Sequence, residues 1–107
     1  MLVGKSNDFK FNSYFIIYEP EFNQLQINIS HGILKVQLCF TKQHIFEISN
    51  AIGNVEATSI ITKNVLSEYN KLLKQKNFDY KIEEEFLNEF CSDLKIVIDS
   101  ITEKYKH

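Results

Sequence analysis

The sequence predicts an α+β domain: an N-terminal antiparallel meander of four to five strands, followed by two C-terminal helices packed on one face of the sheet. Two observations carry that expectation. Between residues 24 and 41, apolar and polar residues alternate with a period of two, broken once by Ser30-His31-Gly32; this is the pattern of a hairpin with one dry face and one wet face. Further on, Ile82, Phe86, Phe90, Leu94, Val97, Ile101 and Tyr105 recur at spacings of three and four, which puts them on one side of a helix.

Each element has its own reason. Residues 9–18 are aromatic and β-branched and read as the first strand, stopped by Glu19-Pro20-Glu21 because proline cannot join a central ladder. Leu25, Ile27 and Ile29 alternate with Gln24, Gln26, Asn28 and Ser30 in the second strand. Leu34, Val36, Leu38 and Phe40 alternate with Lys35, Gln37, Cys39 and Thr41 in the third. Phe46 and Ile48 against Ile45 and Glu47 continue the alternation, so residues 44–49 read as a fourth strand, ended by a turn containing Gly53. Residues 55–62 stay open between a fifth strand and the start of a helix, and the first helix is placed over residues 62–76. Asn77 and Asp79 suit a short connection and an N-cap. The closing helix spans residues 80–105, its stripe widened by Leu87, Cys91 and Ile98. Glutamates in its first turns and Lys104, Lys106 and His107 at its end complement the helix dipole.

Composition limits the classes of function. With 107 residues, 44% hydrophobic and 24% charged, the chain is long and apolar enough to fold as one domain over residues 1–107 without disulfides or metals. The net charge of -2 gives no field that attracts phosphate backbones, and all 12 Lys-plus-Arg side chains are Lys, so the planar fork favoured at phosphate and guanine is missing. Nucleic acid is therefore not an expected partner. The N-terminus has no apolar run before its first charges and no segment reaches the ~18 apolar residues of a membrane span. A cytoplasmic protein that does not bind membranes is expected. Abundant Lys, Asn, Ile, Phe and Tyr fit an AT-rich, bacterial type of gene.

No motif announces chemistry. Cys39 and Cys91 lack CxxC spacing and read as buried thiols. His31, His44 and His107 lack metal-ligand spacing. Gly4, Gly32 and Gly53 are too scattered to form a phosphate loop. No catalytic, metal or cofactor residue is expected, and an enzyme built on His31 or His44 with a distant carboxylate is the weakest reading.

Two surfaces are candidates for binding another protein. Glu83, Glu84, Glu85, Glu89 and Asp93 fall within three turns, with Glu85, Glu89 and Asp93 stacked at i, i+4 and i+8. They serve either as the solvated face of a helix or as a docking surface for a basic partner. Tyr14 and Tyr18 share one side of the first strand with Ile16, and serve either as an interface or as the floor beneath a helix. The expected function is a small cytosolic protein-binding inhibitor that neutralises a partner toxin, such as a basic nuclease, by covering its surface. It resembles bacterial immunity proteins in general class, without the motif of a particular family. A homodimeric chaperone or adaptor for a secreted effector, and a phage-borne inhibitor of host defence, are the alternatives. The sequence does not choose between monomer and homodimer.

Overall fold

A computed structural model describes residues 3–8, 12–19, 21–77 and 82–103. Its elements run β1 (Val3–Asp8), β2 (Asn12–Glu19), β3 (Gln24–His31), β4 (Leu34–Thr41), α1 (Lys42–Ile52), α2 (Asn54–Gln75) and α3 (Glu84–Glu103). The four strands form one antiparallel sheet in the order β1-β2-β3-β4, and the helices pack on it, as the α+β expectation requires. Among the described residues there are three helices rather than two.

Period-two alternation does what it should in the middle of the sheet. The register pairs Tyr14 with Ile29, Ile16 with Ile27 and Tyr18 with Leu25, then Ile29 with Val36, Ile27 with Leu38 and Leu25 with Phe40, so one face is a continuous apolar floor. Gly32 opens the two-residue β3–β4 loop with φ of +61°, a conformation that glycine adopts without steric cost. The first strand of the sequence reading is β2. Ahead of it lies β1, an edge strand that the sequence reading did not contain, paired from Val3↔Tyr18 to Asp8↔Ser13. Phe9, Lys10 and Phe11, which began the expected first strand, lie outside the described residues.

The expected fourth strand over residues 44–49 is instead the middle of α1. Thr41 ends β4 and caps the helix in the same step, its Oγ1 accepting the His44 N–H at 3.1 Å. The helix then turns Ile45 and Ser49, one turn apart, into the interior. It ends at Gly53, whose φ of +90° and N–H bonded to the Ser49 carbonyl at 2.8 Å let the chain start α2 at once.

The open question over residues 55–62 resolves as helix, so α2 starts eight residues earlier than placed. Ala57, Ile61, Val65, Tyr69 and Leu73 form a buried ladder at intervals of four. The buried Thr58 and Thr62 hydroxyls donate to the carbonyls of Asn54 and Thr58, at 2.7 and 2.8 Å, which satisfies them inside the helix despite β-branching. A buried hydrogen bond from Asn12 Nδ2 to the Tyr69 hydroxyl (2.7 Å) ties β2 to α2.

The closing helix is the element expected; among the described residues it runs Glu84–Glu103. Phe86, Phe90, Leu94, Val97, Ile98 and Ile101 are buried against the floor, and Ile82 and Leu87 pack at the margin. Tyr80 and Tyr105, at the ends of the expected helix, lie outside the described residues.

Candidate functional site

Because one side of α3 is committed to the core, its acidic residues are held in a fixed arrangement on the other. Glu83, Glu84, Glu85 and Glu89 are exposed, and the Glu83 carbonyl accepts the Leu87 N–H at 3.2 Å, which fixes the start of the helix. Negative charge there is favoured by the helix dipole. No ion pair among the described residues involves these carboxylates; the pairs found are Lys71–Glu68 and Lys95–Asp99.

The row Glu85, Glu89, Asp93 slants towards β1 and β2, and Asp93, at its end, differs from the others. It is half-buried, and its Oδ2 accepts the Tyr14 hydroxyl at 2.5 Å. Tyr14 itself is 2% exposed and meets Phe86 and Phe90 edge-on, with ring centroids at 5.6 and 5.4 Å. Asp93 is therefore an anchor between helix and sheet, and the surface carboxylates are those on either side of Glu85. Tyr14 and Tyr18 are floor residues rather than surface: Tyr18 is 3% exposed, so neither side chain is presented to a partner in this fold.

Burial raises the Tyr14 pKa well above its ordinary value of 10.0, and the hydrogen bond to Asp93 with its negative charge adds to the rise; burial raises Tyr18 as well. Both phenols stay protonated in the fold where the unfolded chain would ionise, so their contribution is complete below about pH 10 and is lost as pH climbs towards the folded values. Urea midpoints followed from neutral to alkaline pH are expected to fall above about pH 10. The fall should be shallower in Tyr14→Phe; equal slopes would show that Tyr14 ionises alike in both states.

Elsewhere the structure separates the residues that chemistry would need together. His44 stacks on Phe40 at 6.2 Å, and Cys39 is exposed rather than buried, because the odd-numbered residues of β4 face away from the helices. Cys91 is half-buried, its Sγ 3.6 Å from Thr62 Oγ1. Among the described residues, no group of three His, Cys, Asp or Glu is placed to hold a metal ion, and no helix is long and apolar enough to cross a membrane. A groove of about 770 Å³ runs between α1 and the end of α3, lined by Lys42, Phe46, Glu47, Ser49, Asn50 and Asn54. Asn54 Nδ2, in the groove's lining, donates to Asp99 Oδ1 and Thr102 Oγ1, both at 2.9 Å.

One surface was not singled out by sequence reading. The sheet face turned away from the helices carries Phe15, Ile17, Gln26, Asn28, Gln37 and Cys39, with the charged Glu19 and Lys35 towards its ends. The signal was present in the polar members of β3, where Gln24, Gln26 and Asn28 are amides. No family model matches the chain, and no curated protein or solved structure is similar enough to it to suggest a family.

Proposed function

We propose that this protein is a cytosolic binding protein of the immunity type, without cofactor or catalytic role of its own, which neutralises a basic partner such as a toxin nuclease by covering it with α3. The observation that supports this reading is the set of exposed glutamates, Glu83, Glu84, Glu85 and Glu89, without ion pairs among the described residues, on a helix whose opposite side is locked in the core. An acidic row on a helix held by the core attracts a basic surface over several ångströms, speeds encounter and sets orientation. With a net charge of -2, nucleic acid is repelled by the same field.

The test uses Glu84→Gln, Glu85→Gln and Glu89→Gln together, leaving Asp93 in place because Tyr14 donates to it. Wild type and triple variant serve as parallel baits in an extract of the native host, and the captured protein is assayed for inhibition. At roughly 0.2–1 kcal/mol for each lost charge pair, the variant should bind about tenfold more weakly while melting at the same temperature. Equal capture by both baits, or a captured partner whose activity is unaffected, would reject the proposal. A toxin-like reading frame beside the gene would support an immunity protein, phage genes an inhibitor of host defence.

A further inference from the structure

We propose that the outer edge of β4 takes an extended segment of another protein as an added strand, one in which apolar side chains alternate with acidic ones. The parity of the ladder fixes which backbone groups are free. β3 and β4 pair without a bulge from Gln24↔Thr41 to His31↔Leu34, and the Lys42 N–H donates to the Asn23 carbonyl at 2.9 Å, one rung beyond. Rungs alternate along an antiparallel pair, so the even-numbered residues of β4 bond inward to β3. The N–H and C=O groups of Lys35, Gln37 and Cys39 therefore point out of the sheet, and among the described residues no further backbone bond reaches them. A row of donors and acceptors at this spacing is complemented by the backbone of another extended chain.

Edge strands are commonly blunted by charges, proline or bulges. β4 has eight residues with Lys35 as their single charge, and neither proline nor bulge interrupts them. Beside it, a hollow of about 290 Å³ runs between the strand and α2, and Val36, Leu38 and Leu72 in its lining are only partly buried. In an added strand, side chains opposite Val36 and Leu38 fall on the helix side and cover these three residues. Those opposite Lys35, Gln37 and Cys39 fall on the open side, where Lys35 supplies an ammonium group. Charge selects acidic residues there. Lys71 is paired with Glu68, but Lys35, and Lys63 and Lys74 on the adjoining stretch of α2, make no ion pair among the described residues. The opposite edge is a poorer acceptor, since β1 has Val3 as its one large apolar residue. β4 also lies across the sheet from the strands that α3 covers, so this site is independent of the acidic row.

The probe is a capped peptide of about seven residues, within the ordinary length of a strand, alternating glutamate and valine. Followed by amide NMR on the purified full chain, it should bind saturably below about 1 mM. Binding should slow hydrogen exchange at least tenfold at Lys35, Gln37 and Cys39, while Val36 and Leu38, already bonded to β3, stay as they were. Methylating the glutamate backbone nitrogens of the peptide, which lie opposite those three residues, should weaken it at least tenfold. Gln37→Pro removes a donor that the β3–β4 ladder does not use, so it should weaken the unmethylated peptide to the same degree at an unchanged melting temperature. Lys35→Glu should also weaken it, and serves for the comparison if the proline variant unfolds. No binding by about 1 mM, equal binding of the methylated peptide, or binding that leaves the three amides unprotected overturns the proposal. So does protection of those amides that grows with protein concentration alone, which would make a second copy the occupant.

Discussion

Phe90→Ala is expected to lower the free energy of unfolding by about 3–5 kcal/mol, the range for an aromatic ring removed from a packed core. The side chain is fully shielded, with the Tyr14 ring 5.4 Å away edge-on and the Phe86 ring parallel at 6.4 Å. Its loss removes apolar burial and leaves a cavity that two rings fixed by their own neighbours cannot close. Domains of this size are stable by only about 5–15 kcal/mol, so the variant should approach the edge of folding. Denaturant midpoints measure the change, with Ile96→Ala as a control on the same helix. Ile96 is 44% exposed, and its truncation should cost no more than about 0.5 kcal/mol. Equal losses at the two positions would mean that α3 does not present the stripe inward.

Ile45→Ala should cost about 2–5 kcal/mol and decides between helix and strand in the segment after β4. In α1, Ile45 is fully buried and Ile48 only partly so. A strand would reverse the order, turning Phe46 and Ile48 inward and leaving Ile45 in water. Comparing Ile45→Ala with Ile48→Ala therefore reads the period of the segment from energies alone. A larger loss at Ile48 would restore the strand.

The same segment explains where sequence reading failed. Over a short run, Phe46 and Ile48 satisfy a period of two while Ile45, Ile48 and Ile52 satisfy spacings of three and four, and periodicity cannot choose between them. The deciding contact is the Thr41 cap, which a hydroxyl provides as readily at a strand end as at a helix start. The start of α2 was hidden because Val55, Thr58, Ile60, Ile61 and Thr62 are β-branched, and the bonds from Thr58 and Thr62 to carbonyls one turn back appear only once the helix exists. β1 escaped because an edge strand needs only one neighbour and little apolar surface, and Val3 is its single large apolar residue. β3, β4 and α3 were legible because each maintains one period for at least seven residues between clear stops.

The candidate site shows a similar division. The spacing of Glu85, Glu89 and Asp93 already placed them in one row, but the bond that removes Asp93 from the surface set joins residues 79 apart. Alternation gave Tyr14 and Tyr18 a common side of β2 without revealing which side the helices would cover. Burial beneath α3 answers that, and it makes the two tyrosines determinants of alkaline stability instead of contacts for a partner.

The most direct test of the central proposal is the affinity of the captured partner for wild type and for the Glu84→Gln, Glu85→Gln, Glu89→Gln variant, measured over a range of salt concentrations. Binding through the acidic row requires wild-type affinity to fall as salt rises, and requires the variant to bind more weakly at low salt with a shallower dependence. Two parallel curves of equal affinity would contradict it and return those glutamates to the role of a solvated helix face.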